Sequence, residues 1–170
     1  MKSKITALVV LLLICKVSFA QRIPYTDLIG LYADASYDRI EEMDSKLKKL
    51  SSNWSDLKAA KNGSKLALTW KYQYESSTVG YLRIYKDTDP KYPIRLKFAF
   101  PYSSQFNEYK TWLNKTAKVV NRLTEGGANS VVYESESLTT IITTYPANLK
   151  KFYEDGLPVE HYEILMHIKL

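Results

Sequence analysis

One cysteine, two histidines and six glycines among 170 residues leave little of the usual material of catalysis. Cys15 lies inside an apolar N-terminal run, so a chain shortened by its first twenty residues has no thiol for a nucleophile, a metal ligand or a disulfide. Neither histidine stands in or near the nucleophile-elbow pattern of a serine hydrolase. The glycines, at 30, 63, 80, 126, 127 and 156, build no phosphate-cradling loop. His161 and His167 alternate onto one side of a final strand, yet at about 3.3 Å per residue they stand roughly 20 Å apart, too far to hold one ion. We therefore expect no cofactor, no metal and no catalytic residue.

The N-terminus reads as a secretory signal. Lys2 and Lys4 precede the apolar run Ile5 to Cys15, and Ser18 and Ala20 supply small residues before a cleavage point. The run is too short to span a bilayer as a permanent helix. Bulky Ile14 and the charge on Lys16 argue against lipid attachment at Cys15. Removing residues 1–20 takes three lysines and no acid, so the net charge falls from +6 to +3. That balance is too weak for a nucleic-acid partner. Without disulfides the remaining residues must hold together by burial alone. A cysteine-free exported chain fits a bacterial periplasm or the cell exterior, although Asn53-Trp54-Ser55, Asn62-Gly63-Ser64 and Asn114-Lys115-Thr116 match the glycosylation acceptor pattern.

Periodicity divides the rest into a lead-in, residues 21–35, and one domain, residues 36–170. Ile40, Met43, Leu47, Leu50, Trp54 and Leu57 recur at steps of three and four, predicting a helix with its acids early, its lysines late and Gly63 as a stop just past its end. Residues 65–75, 78–86 and 92–100 alternate as strands. Phe106, Tyr109, Leu113, Ala117, Val120 and Leu123 predict a second helix, stopped by Gly126-Gly127, with Lys110, Lys115, Lys118 and Arg122 outward. Two β-branched strands, a short helix from Pro146 to Gly156 and a last strand follow. The expected fold is α+β, an antiparallel sheet covered on one face by helices, with ferredoxin-like βαββαβ order in residues 94–170 after a helix and a β-hairpin.

"TWKYQYESSTVGYLRIYK", residues 69–86, holds four tyrosines. A bulge at Gly80 would join Leu82 and Ile84 to Leu66, Leu68 and Trp70 in one core, leaving Tyr81, Arg83 and Tyr85 on the other face beside Lys71, Arg95 and Lys97. Tyrosine and arginine are enriched where interfaces carry binding energy. These six residues are the candidate binding face of an exported non-catalytic module, of the inhibitor or immunity kind, that docks an acidic protein or an anionic glycan. Two other readings stand beside it. A small envelope hydrolase would use Glu134 with Glu136, or His161 with Glu163. A structural envelope protein would self-associate through the helix from Ile40 to Leu57.

Overall fold

The computed structural model describes residues 22–89, 91–146 and 161–169. Eight strands form one antiparallel sheet: β1 (Lys58–Asn62), β2 (Lys65–Tyr74), β3 (Ser77–Asp87), β4 (Arg95–Phe100), β5 (Lys118–Glu125), β6 (Ala128–Glu134), β7 (Leu138–Tyr145) and β8 (His161–Ile168). Their order is β1-β2-β3-β4-β8-β7-β6-β5. Each half of the sheet thus runs in chain order, and the halves meet where β4 pairs with β8. Among the described residues three helices accompany it: α1 (Tyr25–Ser36), α2 (Ile40–Leu50) and α3 (Ser103–Thr116).

This arrangement corrects the expected α+β fold. The molecule is mostly sheet rather than a helical layer over a smaller one, and residues 94–170 do not follow the ferredoxin-like βαββαβ order. The error began at residues 117–125. Their apolar positions fit a helical stripe, but α3 stops at Thr116 and Lys118–Glu125 pairs with β6, the β-branched Val119 and Val120 favouring the extended state. Gly126-Gly127 then makes the β5–β6 turn, with φ of 56° and 89°, instead of ending a helix. The first predicted helix is likewise cut short. It ends at Leu50, Trp54 bridges to Tyr72, and Lys58–Asn62 becomes edge strand β1. The segment 21–35, read as a lead-in, supplies α1, whose Leu28 and Leu31 are buried. The predicted signal and most of the short helix after Pro146 lie outside the described residues.

The core forms because alternation puts Leu68, Trp70, Tyr72, Leu82, Ile84, Leu96, Phe98 and Phe100 on the same sheet face. Residues from all three helices join them in one apolar cluster with Ile164 and Met166 of β8. Polar tips of the buried rings find partners. Trp70 Nε1 donates to Asp44 Oδ1 at 2.9 Å, Tyr25 Oη meets Thr140 Oγ1 at 2.8 Å, and Tyr32 Oη donates to the Ile94 carbonyl. Met43 and Leu47 are fully buried in this core, so these two positions of the α2 stripe pack within the chain.

Register in the central hairpin is the one expected. Trp70 faces Leu82 and Leu68 faces Ile84, while Tyr72 pairs with Gly80 and Gln73 with Thr78, leaving Val79 as the extra residue. The connecting turn, Glu75-Ser76, has positive φ at both positions, 46° and 67°. Two-residue hairpin turns of that hand favour Asn-Gly, because β-carbons crowd the left-handed region. Glu75→Asn with Ser76→Gly should therefore raise the unfolding free energy by about 1 kcal/mol. Urea titration checks this, and an unchanged midpoint would show that the turn is not strained.

Candidate functional site

All six residues singled out from the sequence lie on the sheet face opposite the core. Lys71 is paired with Tyr81, Arg83 with Lys97, and Tyr85 with Arg95, so they occupy three consecutive rungs of β2, β3 and β4. Cations and rings interleave. The Arg83 guanidinium lies 4.9 Å from the Tyr81 ring centre and 6.0 Å from that of Tyr85, and Arg95 lies 5.4 Å from the Tyr85 ring. Arg83 Nε also donates to Thr69 Oγ1 at 2.9 Å, which fixes its plane.

Exposure divides this set in two. Tyr81, read from sequence as an outward contact residue, is on the expected face but only 3% exposed, beside buried Ala99. Burial raises its pKa well above the ordinary tyrosine value, keeping the phenol neutral. Lys97 is half-buried and ion-paired to buried Glu163 at 2.9 Å. Burial alone would push the Lys97 pKa down, but the neighbouring Glu163 carboxylate outweighs it and the net shift is upward. Tyr145 also hydrogen-bonds Glu163, and burial first, then that carboxylate, raises its pKa to about 12. Tyr81, Lys97, Glu163 and Tyr145 are thus a structural polar cluster.

His161 belongs to the same cluster. It is buried and stacks on Tyr145 at 4.5 Å with only 10° between the rings. Burial, then the charge of Lys97, lowers its pKa to about 4. An unfolded histidine titrates near 6.5. Between those values the unfolded chain binds the proton and the folded one does not, so stability falls as pH drops from about 6.5 to about 4 and this contribution is complete above that window. NMR titration should place the His161 transition near pH 4; a transition near 6.5 would mean that the ring is not shielded as the structure shows.

Tyr85 and Arg95 lead away from the buried cluster to a groove of about 870 Å³ at one end of the sheet. Its walls are the β1–β2 hairpin, with Lys61 and Lys65, and the β3–β4 loop, with Tyr92 and Pro93; His167 of β8 contributes to its lining. The hairpin can turn tightly because Gly63 takes φ +60°. Thr88 N donates to the Ser64 carbonyl at 3.0 Å, tying the two walls together. The acids at the groove are turned into their own loop. Asp87 accepts from Asp89 N at 3.1 Å, which with Ser64 lowers its pKa, and Asp89 accepts from Lys91 N at 3.0 Å. Lys86 is spent on Asp38. Lys61, Lys65 and Arg95 make no ion pair among the described residues, and all three are exposed. The groove can therefore accept negative charge and lay a flat or apolar group on Tyr85 and Tyr92.

Lys61, Lys65, Tyr92 and His167 were missed in the sequence. Lys61 and Lys65 lie on either side of the Gly63-Ser64 turn, a two-residue hairpin signal hidden by reading Gly63 as a helix stop. The proposed carboxylate pairs fare differently. Glu134 closes β6 and is ion-paired to Lys169 at 2.8 Å, while Glu136 lies beyond the strand, so the expected same-face strand pair is not formed. Both line a depression of about 480 Å³ shared with Lys115, Lys118 and Lys169. His161 and Glu163 do share a face of β8, inside the buried cluster described above. Among the described residues no group of three or more His, Cys, Asp or Glu is placed to hold a metal ion, and no helix is long and apolar enough to cross a membrane. Comparison of the chain with protein-family models, with curated proteins and with solved structures found no match.

Proposed function

We propose that this is an exported, non-catalytic binding module that docks an acidic protein at the basic, tyrosine-bearing end of its sheet, in the manner of an inhibitor or immunity protein. The observation that supports this reading is the groove, where Tyr85 and Arg95 from the face singled out in the sequence share that face with Lys65 beside Tyr92, while the local acids point into their own loop. Rings give contact area at low entropic cost, and arginine adds a directed fork for carboxylates. The concavity supports one further reading, an anionic glycan whose rings lie on Tyr85 and Tyr92.

Affinity capture from cell-envelope extract tests both, comparing the unmodified chain with Lys65→Glu, Arg95→Glu. The charge reversals lie on exposed residues and should leave folding intact. We expect the retained partner to bind at least about tenfold more weakly, some 1.4 kcal/mol, and to elute with added salt. Protease treatment of the retained material identifies a protein partner, and resistance to protease identifies a glycan. Equal retention by both baits would reject the groove.

A further inference from the structure

The two outermost strands of the sheet differ in kind. β1 is five residues of lysine, alanine and asparagine, a short charged edge that resists pairing with another chain. β5 is eight residues long, exposed throughout, free of proline and glycine, and carries Val119, Val120 and Leu123 at 41%, 50% and 50% exposure. Its outer edge has no strand beside it among the described residues. Such an edge, with aliphatic side chains at hand, is a template for a further strand.

We propose that β5 pairs antiparallel with β5 of a second copy about a two-fold axis through Leu123, joining two eight-stranded sheets into one. Pleat, charge and the leucine pair together favour this register. From Asn121 to Glu125 the strand pairs regularly with β6, so its residues alternate faces, and a two-fold axis normal to the sheet must set each residue opposite one from the same face. Centring the axis on Arg122 would oppose two guanidinium groups, which is destabilising. Centring it on Leu123 sets Leu123 against Leu123 of the second copy, Arg122 against Thr124, and Asn121 against Glu125. No like charges then face each other. The irregularity between Val119 and Asn121 ends the ladder on one side and the Gly126-Gly127 turn ends it on the other. A contact of this self-complementary kind closes after two copies. Because the groove is built on β1 to β4 and β8, away from this edge, the dimer offers two grooves and so a bivalent surface.

The test exploits the near absence of cysteine. In a full chain carrying Cys15→Ser, a cysteine at position 123 has no intramolecular partner. Across an antiparallel axis it meets its copy with Cα atoms about 4.5–5.5 Å apart, within disulfide reach. Mild oxidation should convert Leu123→Cys to a cross-linked dimer and leave Ala60→Cys, on β1, uncoupled. Sedimentation equilibrium should give the unmodified chain a two-chain mass and Leu123→Lys a one-chain mass, with circular dichroism confirming that the exposed substitution preserves the fold. A one-chain mass for the unmodified protein at high concentration overturns the proposal. So does a dimer that survives Leu123→Lys or fails to cross-link through position 123, because its contact then lies elsewhere.

Discussion

Trp70→Ala is expected to lower the unfolding free energy by about 4 kcal/mol. Trp70 is fully buried, faces Leu82 across the central hairpin, and donates its indole N–H to Asp44 of α2. Its loss therefore opens a cavity in the sheet and unties a helix at the same position. Trp70→Phe is the milder change. It keeps one aromatic ring but removes the hydrogen bond and part of the indole volume, leaving Asp44 its pairing with Lys48 at 3.0 Å, so a loss of about 2 kcal/mol is expected. Urea unfolding monitored by circular dichroism reads both variants. A Trp70→Ala chain as stable as the Trp70→Phe chain would show that packing at this position contributes little.

Lys97→Met should cost about 3 kcal/mol, because it leaves the buried Glu163 carboxylate without its cation. Tyr145 still hydrogen-bonds Glu163, so the loss stays below that of a carboxylate with no partner at all. The double variant Lys97→Met, Glu163→Leu removes both charges and should recover most of the stability, since the pair itself offsets its own desolvation only narrowly. Failure to recover would mean that Glu163 matters through contacts other than Lys97. Measured on folded protein, partner binding should be little changed in the double variant, because Lys97 is not part of the groove. A large binding loss there would return Lys97 to the docking surface and shift the site toward the sheet centre.

These two residues mark how far the sequence could be read. Both sit in strands whose alternation was plain, and even the odd register of the central hairpin was legible, since only one offset collects Leu68, Trp70, Leu82 and Ile84 on one face. The side of the sheet carrying Lys97 was therefore correctly placed. Its role was not, because alternation tells inward from outward but not buried from exposed. The pattern marks Tyr81 and Lys97 as contact residues, and it is Glu163, brought alongside by the β4–β8 pairing, that makes Lys97 structural.

The same division holds for the whole chain. Local pattern alone determined the two-residue rhythm of β2, β3, β4 and β8, the helical stripe through Met43 and Leu47, and the common face of Lys71, Tyr81, Arg83, Tyr85, Arg95 and Lys97. Tertiary structure decided that residues 58–62 and 118–125 become strands at the two edges, because both segments can follow a helical stripe and extend only by pairing with β2 and β6. It also decided the groove, which brings Lys65 of a hairpin to Arg95 of a strand far along the chain. The reason is the range of the forces involved. Side-chain alternation is a property of neighbouring residues, whereas strand order, burial on the second face and the convergence of Lys65 with Arg95 arise only when distant segments share their backbone hydrogen bonds.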